Sequence, residues 1–440
     1  MSGRKMRRYQ LRKEAIGVVH RHPWIFREQL SSAASVFADG DWLRLYDGAN
    51  QIVGHGVYEA EGAIAIRVVR SGAAPADARY FRGRVAAAIG KRAELATHGD
   101  GLRLVHGESD AVPGVVVDRF GDVIVATSYS AGMDGVARYV AMLLQHPEAM
   151  VEPDVAVVPK PAKPAKAAKL PRLAKPELPA AAPSPAAVPS MSKAASALAK
   201  IIGPATHVVI RPAHRRHAET APARVLRGAP PAVAHFTEDG IRYAVDLEAG
   251  HKTGAYLDLR ALRRALAAAP LTGARVLNLF SYTGMLGRAA EAAGAADITH
   301  VDQSERALAF AAAQHVVDPA RHHFITADVF DWLPKLDPAD TYDLVIVDPP
   351  AMTSRKAQVP TVLAAYHKLY RAAAAHVRPG GTLIAACCTS RVTRDAFART
   401  VRAALGPEFG HARDLPPEPD HPVAFPQADY LKVALWKRIA

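Results

Sequence analysis

ARVLNLFSYTG (274–284) decides the fold. Its first seven residues form a short, mostly apolar run, and the run stops at a polar turn, Ser281–Tyr282–Thr283–Gly284. An alanine-rich helical stretch follows, LGRAAEAAGA (286–295). The unit then recurs. DITHVD (297–302) reads as a strand, SERALAFAAAQHV (304–316) as a helix and HFITAD (323–328) as a strand. DLVIVDPP (343–350) is a strand ended by prolines, a long helix covers about 360–377, and GTLIAACC (381–388) is a further strand. Strands of this length alternating with helices mean βαβ units on a parallel sheet, so this part is α/β and doubly wound.

Upstream the pattern differs. WLRLYDG (42–48) and QIVGHGVYE (51–59) read as strands around a turn carrying Asp47, Gly48 and Asn50. RYFRGRVAAAIGKRAELA (79–96) reads as a helix, and GVVVDRFGDVIVATSY (114–129) as two strands joined through Arg119–Asp122. Residues 1–150 are therefore α+β. Residues 151–200 carry ten of the 33 prolines and no aromatic residue. Such a segment buries too little surface to offset its ordering entropy and reads as a linker or insertion.

The 440 residues carry 55 Lys+Arg against 42 Asp+Glu, a net +13. The excess is clustered. Residues 1–30 hold eight basic and two acidic residues, and residues 151–200 hold eight and three. Clustered positive charge suits a polyanion, although such runs also serve as solvated faces. Cys387 and Cys388 are the only cysteines and are adjacent, which excludes a disulfide framework and a cysteine-rich zinc module. The start lacks an apolar signal core, and no run reaches 18 apolar residues. A reducing cytoplasm and no membrane association are expected.

Ligands of doubly wound sheets sit beyond the carboxyl ends of the strands, near the switch point. The first strand ends in Phe280–Ser281–Tyr282–Thr283–Gly284, which is neither GxGxxG nor a Walker loop. Gly284 lets backbone approach a ligand smaller than a dinucleotide. Asp302 ends the second strand, where an acid accepts hydrogen bonds from ribose hydroxyls; Asp328 ends the third, within reach of an adenine amine. A strand-end Asp also serves as a helix N-cap. A nucleoside without a long phosphate chain fits the set, and S-adenosylmethionine is the natural candidate.

The fourth strand ends in Asp348–Pro349–Pro350 and the next in Cys387–Cys388, side by side in this sheet order. A carboxylate and a thiol flanking one pocket suit methylation at carbon 5 of cytosine. A thiolate added to carbon 6 gives carbon 5 enamine character, and an acid bonded to ring nitrogen 3 stabilises the adduct. Buried thiols also pack as small hydrophobes, and the pleat assigns Cys387 to that role. Tyr256, Tyr282 and Phe425 are candidates to stack on an unstacked base. His214, His217, His322 and His323 lack thiol or acid partners at ligand spacing, so no metal is expected.

These residues resemble the bacterial 23S rRNA cytosine-5 methyltransferases of the RlmI type. RHPWIF (21–26), HGESDAVPGVVVDRFGD (106–122), GHKTGAYLDLR (250–260), VLNLFSYTG (276–284), VDPP (347–350), DHPV (420–423) and YLK (430–432) follow in family order. The resemblance implies a PUA-like RNA-binding domain at 1–73 and a central α+β domain at 74–249 interrupted at about 151–203. It implies a Rossmann-like methyltransferase domain at 250–440, with HVVIRPAHRRHAE (207–219) resuming the central domain. It also implies S-adenosylmethionine as donor and 23S large-subunit rRNA as substrate. Cofactor contacts would come from Lys252, Thr253, Asp258, Ser281, Tyr282, Asp302, Asp328 and Asp348, with Cys388 as nucleophile. A homodimer is compatible with the family, though no residue requires one. Two features depart from the pattern. Ala351 follows the two prolines where the family has a basic residue, with Arg355 and Lys356 further on, and Cys387–Cys388 replaces a single thiol. A guanine-modifying relative of the same fold and a non-catalytic, RNA-binding assembly factor are the rival readings.

Overall fold

The computed structural model describes residues 6–146, 196–213 apart from 198, 202 and 204, then 224–248, 253–353 and 355–439. Strands β1 (Arg7–Gln10), β2 (Trp24–Phe26), β3 (Trp42–Tyr46), β4 (Ile52–Tyr58) and β5 (Ile64–Ser71) form the first sheet, in the order β1-β3-β4-β5-β2. Tyr9, Ile25, Leu43, Leu45 and Ile66 fill its core, with Ala15 and Val19 of helix α1 (Lys13–Val19). The turn between β3 and β4 has Asn50 at φ 64°, a left-handed residue where asparagine is tolerated.

A second sheet runs β10-β9-β8-β7-β6, built from β6 (Gly101–His106), β7 (Val115–Phe120), β8 (Val123–Ser128), β9 (His207–Pro212) and β10 (Arg224–Arg227). Its β8 precedes the proline-rich stretch and β9 follows it, yet the two pair in parallel from Val123–His207 to Ser128–Pro212. Helices α2 (Ala78–Gly90) and α3 (Asp134–Gln145) share its core. The helix expected over 79–96 ends at Gly90, and residues 95–97 form a separate 3-10 turn. Glycine lowers helix stability, so a break there has a local cause. A short hairpin, β11 (Val233–Glu238) with β12 (Ile241–Asp246), packs Phe236 on Phe120 and leads toward the third sheet.

The third sheet has β13 (Arg275–Leu279), β14 (Asp297–Asp302), β15 (His322–Thr326), β16 (Tyr342–Val347), β17 (Val377–Cys387), β18 (Phe409–Leu415) and β19 (Lys432–Arg438). Their order is β15-β14-β13-β16-β17-β19-β18. The first five strands are parallel, and β19 is antiparallel to both β17 and β18. The strand order turns back between β13 and β16, which makes their carboxyl ends the switch point where such sheets bind ligands. Helices α4 (Arg260–Ala267), α5 (Met285–Ala292), α6 (Glu305–Gln314), α7 (Val329–Trp332), α8 (Val359–Ala375) and α9 (Arg394–Leu405) accompany the strands. Ser304, Asp328 and Thr393 cap α6, α7 and α9 by accepting backbone N–H bonds.

The second and third sheets are welded by buried charge. Arg260 donates to Asp420 Oδ2 at 3.0 Å and to the Gly101 carbonyl at 2.5 Å. Asp420 also accepts from the Arg103 backbone N–H at 3.0 Å, and Arg92 bonds the Asp420 carbonyl at 3.0 Å. Breaking one partner of such a network leaves an uncompensated buried charge, a cost of about 3–5 kcal/mol. The DHPV motif is thus a structural lock, and it fixes the segment that leads into β19.

Candidate functional site

The turn after β13 is held in an uncommon conformation. Phe280, Tyr282 and Gly284 have φ of 58°, 46° and 77°. Left-handed backbone costs an L-residue about 1 kcal/mol or more, so surrounding bonds must enforce it. Asp302, at the end of β14, supplies one: its Oδ2 accepts the Tyr282 N–H at 2.8 Å, and its Oδ1 accepts the Ser304 N–H at 2.9 Å. His315 supplies another. Its Nδ1–H donates to the Thr283 carbonyl at 2.5 Å, and its Nε2 accepts the Ala244 N–H of β12 at 2.8 Å. The two partners fix a neutral tautomer, and burial lowers the imidazole to about 4. Sequence reading placed His315 at a helix end and found no role for it; its partners lie 32 and 71 residues away, and no local signal marks them.

Two hydroxyls are buried with no hydrogen-bond partner among the described residues: Ser281 Oγ, in this turn, and Thr253 Oγ1. Buried polar atoms in proteins are otherwise almost always paired. Each Asp302 oxygen, with one N–H bond made, retains acceptor capacity. An unpaired hydroxyl at Ser281, in the turn that an under-used carboxylate holds, fits a polar ligand with its own hydroxyl and amino groups, as a nucleoside-based methyl donor has. Asp328 stands two strands away, exposed, and caps α7 through the Phe330 N–H at 2.8 Å. The Phe330 ring lies 5.6 Å from that of Phe280, which joins this edge to the turn. Lys252 lies outside the described residues.

The second half of the site is at the ends of β16 and β17. Asp348 is half-buried, and Cys388 is partly buried with its Sγ 3.6 Å from the Pro349 carbonyl. The neighbouring Cys387 is fully buried in the core, as the pleat requires. Thr389 ties the two strand ends: its Oγ1 accepts the Met352 N–H at 3.2 Å and lies 2.8 Å from the Tyr366 hydroxyl. Tyr256 bridges the halves. Its ring centroid is 5.5 Å from that of Tyr282. Burial pushes its phenol up, and the charges of Tyr282, Asp258, Asp348 and Cys388 push it further. Asp258 accepts the Tyr430 hydroxyl at 2.6 Å, and burial raises Tyr430 well above the usual phenol range. Phe425 packs on Trp24 and His22 of the first domain, with centroids 4.9 and 5.6 Å away. Ala351 and Arg355 are exposed beyond the two prolines.

His322 belongs to a buried chain in the third sheet: Asn278, His300, His322 and Glu291 follow one another at 3.4, 3.0 and 3.6 Å. His323 is exposed, and His214 and His217 lie outside the described residues. Among the described residues no group of three His, Cys, Asp or Glu is placed to hold a metal ion. No described helix is long and apolar enough to cross a membrane. In the first domain, Arg7, Arg8 and Arg12 line an open groove with Ser31 and Phe37.

The chain is similar to known methyltransferases in sequence and fold. The family model for S-adenosylmethionine-dependent methyltransferases matches residues 185–437, and that for PUA-like domains matches residues 11–71. A ribosomal RNA large subunit methyltransferase of Deinococcus radiodurans is 30% identical over 93% of this chain and 92% of its own length. Ribosomal RNA large subunit methyltransferase I of Shewanella amazonensis is 31% identical over 94% of each chain. The fold is shared with a SAM-dependent methyltransferase structure from Streptococcus mutans, at TM-score 0.72, 21% identity, 98% of this chain and 100% of that one. A methyltransferase structure complexed with SAH gives TM-score 0.73 at the same identity and coverage.

Proposed function

This chain belongs to the S-adenosylmethionine-dependent methyltransferase family, and we propose that it methylates carbon 5 of a cytidine in 23S large-subunit rRNA through a covalent adduct on Cys388. The observation that carries the reading is the placement of the Cys388 sulfur 3.6 Å from the Pro349 carbonyl, at the shoulder of Asp348. A partly buried thiol and a half-buried carboxylate at the ends of two neighbouring parallel strands suit addition to a pyrimidine.

Ser281, Tyr282, Gly284, Asp302 and Thr253 would hold the donor, together with Asp258, Asp328 and Asp348. The bound donor supplies an electrophilic methyl on a sulfonium. The chain's own residues do the rest. The Cys388 thiolate forms a bond to carbon 6 of cytosine. Asp348, in its acid form, donates a hydrogen bond to nitrogen 3 and so stabilises the electron density that moves into the ring. After carbon 5 is methylated, a base takes its proton, the carbon–sulfur bond breaks and the thiolate returns. The PUA-like domain and the Arg7, Arg8 and Arg12 groove grip RNA phosphates, which accounts for the positive charge clustered in residues 1–30. The rRNA substrate places the enzyme in the cytoplasm, where the thiol stays reduced.

Mass spectrometry of nucleosides from large-subunit rRNA, from cells with and without the gene, tests the product. Loss of 5-methylcytidine alone supports the reading. Loss of a methylguanosine, or of no nucleoside, ends it.

A further inference from the structure

Lys432 pairs with Cys387 across the β17–β19 ladder and is 2% exposed. Lysine is almost never buried this deeply without a partner for its charge. Its Nζ donates to the carbonyls of Thr389 at 2.9 Å, Val392 at 2.9 Å and Tyr430 at 2.7 Å. Three acceptors use all three protons of an ammonium, whereas a neutral amine has two. The geometry therefore calls for the charged form. Burial pulls Lys432 down, while Cys387, Asp429 and Cys388 push it back up. The Asp429 carboxylate is itself engaged by Arg394 through two bonds of 2.7 and 2.5 Å.

Two of the three carbonyls belong to the turn that starts at Cys388, and the third belongs to Tyr430, whose hydroxyl reaches Asp258. We propose that Lys432 is a positioning residue of the reaction: its ammonium clamps the 388–392 turn and supplies positive charge that favours the Cys388 thiolate. This rests on the reading of Cys388 as the nucleophile.

The charged and titratable groups around the sulfur come from five elements. Asp348 ends β16, Tyr366 and Tyr370 are on α8, Tyr256 precedes α4, Tyr430 precedes β19, and Lys432 begins it. Burial raises all four phenols, so they are neutral near pH 7. Of these groups the Asp348 carboxylate opposes a thiolate and the Lys432 ammonium favours it.

Alkylation of Cys388 by iodoacetamide across about pH 6 to 10 reads the thiol directly, with fragment-ion mass spectrometry separating it from Cys387. Lys432→Gln, which keeps hydrogen bonding and removes the charge, should raise the alkylation midpoint by about one pH unit. S-adenosylhomocysteine affinity, by calorimetry, should stay within about threefold, because Lys432 makes no bond to the 281–284 turn and reaches Asp258 only through Tyr430. An unchanged midpoint, or an equal loss of S-adenosylhomocysteine binding, overturns the proposal. Should the variant not fold, the wild-type chain decides. The midpoint in the folded protein should lie below that in urea, and one at or above it overturns the proposal. No RNA enters either measurement, so failure here is distinct from failure of the nucleophile reading, which would show as methylation by Cys388→Ala.

Discussion

The sulfur of Cys388 lies 3.6 Å from the carbonyl oxygen of Pro349, placed to donate its S–H to the turn that carries Asp348. Cys388→Ala should lower methylation about a thousandfold or more, because no other route supplies the carbon-6 nucleophile. Affinity for S-adenosylhomocysteine should remain. RNA bearing 5-fluorocytidine should form a denaturant-resistant complex with the wild type, since fluorine blocks loss of the carbon-5 proton. Gel shift of that complex in the Ala variant would remove the thiol from the mechanism.

Asp302 holds the Tyr282 N–H with one oxygen and the Ser304 N–H with the other. Asp302→Asn keeps the shape but turns one acceptor into a donor facing an N–H. The left-handed turn at Tyr282 then loses its anchor or Ser304 loses its bond, at about 1–3 kcal/mol. S-adenosylhomocysteine binding should weaken roughly tenfold to hundredfold. Calorimetry giving an affinity within a factor of two would exclude Asp302 from the donor site.

The middle of the third sheet was readable because β13, β14, β16 and β17 bury most of their residues on both faces. DITHVD coincides with β14, and DLVIVDPP and GTLIAACC contain most of β16 and β17. β18 was not readable: FGHARDL buries only Phe409 and Leu415, as an exposed edge strand does, and its period carries no apolar signal. The same contrast divides the site. Asp302, Asp348 and Cys388 could be named because strand ends are where doubly wound sheets place their chemistry. The partners of His315 and Lys432 could not, although YLK (430–432) was in view, because both side chains bond backbone carbonyls, and a carbonyl leaves no trace in residue identity. Asp328 carried two readings from sequence, and its bond to the Phe330 N–H shows that it caps a helix.

Two helical glycines should respond oppositely to alanine. At Gly287 on α5 an added Cβ would come within 2.2 Å of His300 Cε1. That ring is held by Asn278 and His322 and has nowhere to go. Overpacking should outweigh the gain in helix propensity and destabilise Gly287→Ala by about 1–3 kcal/mol. At Gly83 on α2 an added Cβ meets nothing within 4 Å. Gly83→Ala should stabilise by about 0.5–1 kcal/mol. Urea unfolding midpoints check both, and a stabilised Gly287→Ala would mean the His300 ring is free to move.

His300 and His315 tie stability to pH. Burial holds them at about 3 and about 4, below the ordinary 6.5. The unfolded chain therefore takes up protons first as pH falls. Their contribution is complete above about 6.5 and is lost between there and about 4 for His315, and on to about 3 for His300. By pH 5.5 the loss should be roughly 1 kcal/mol for each histidine. Asp420, held well below the usual carboxylate range by His421, Arg260 and the Arg103 N–H against the opposing effect of burial, acts in a lower window, beneath about pH 4. His315→Gln keeps a donor for Thr283 and an acceptor for Ala244 without titrating. Its stability should fall less than the wild type's between pH 7.5 and 5.5, by about the share of one histidine. Urea unfolding at those two pH values measures the difference, and identical slopes would show that His315 is protonated in the folded protein.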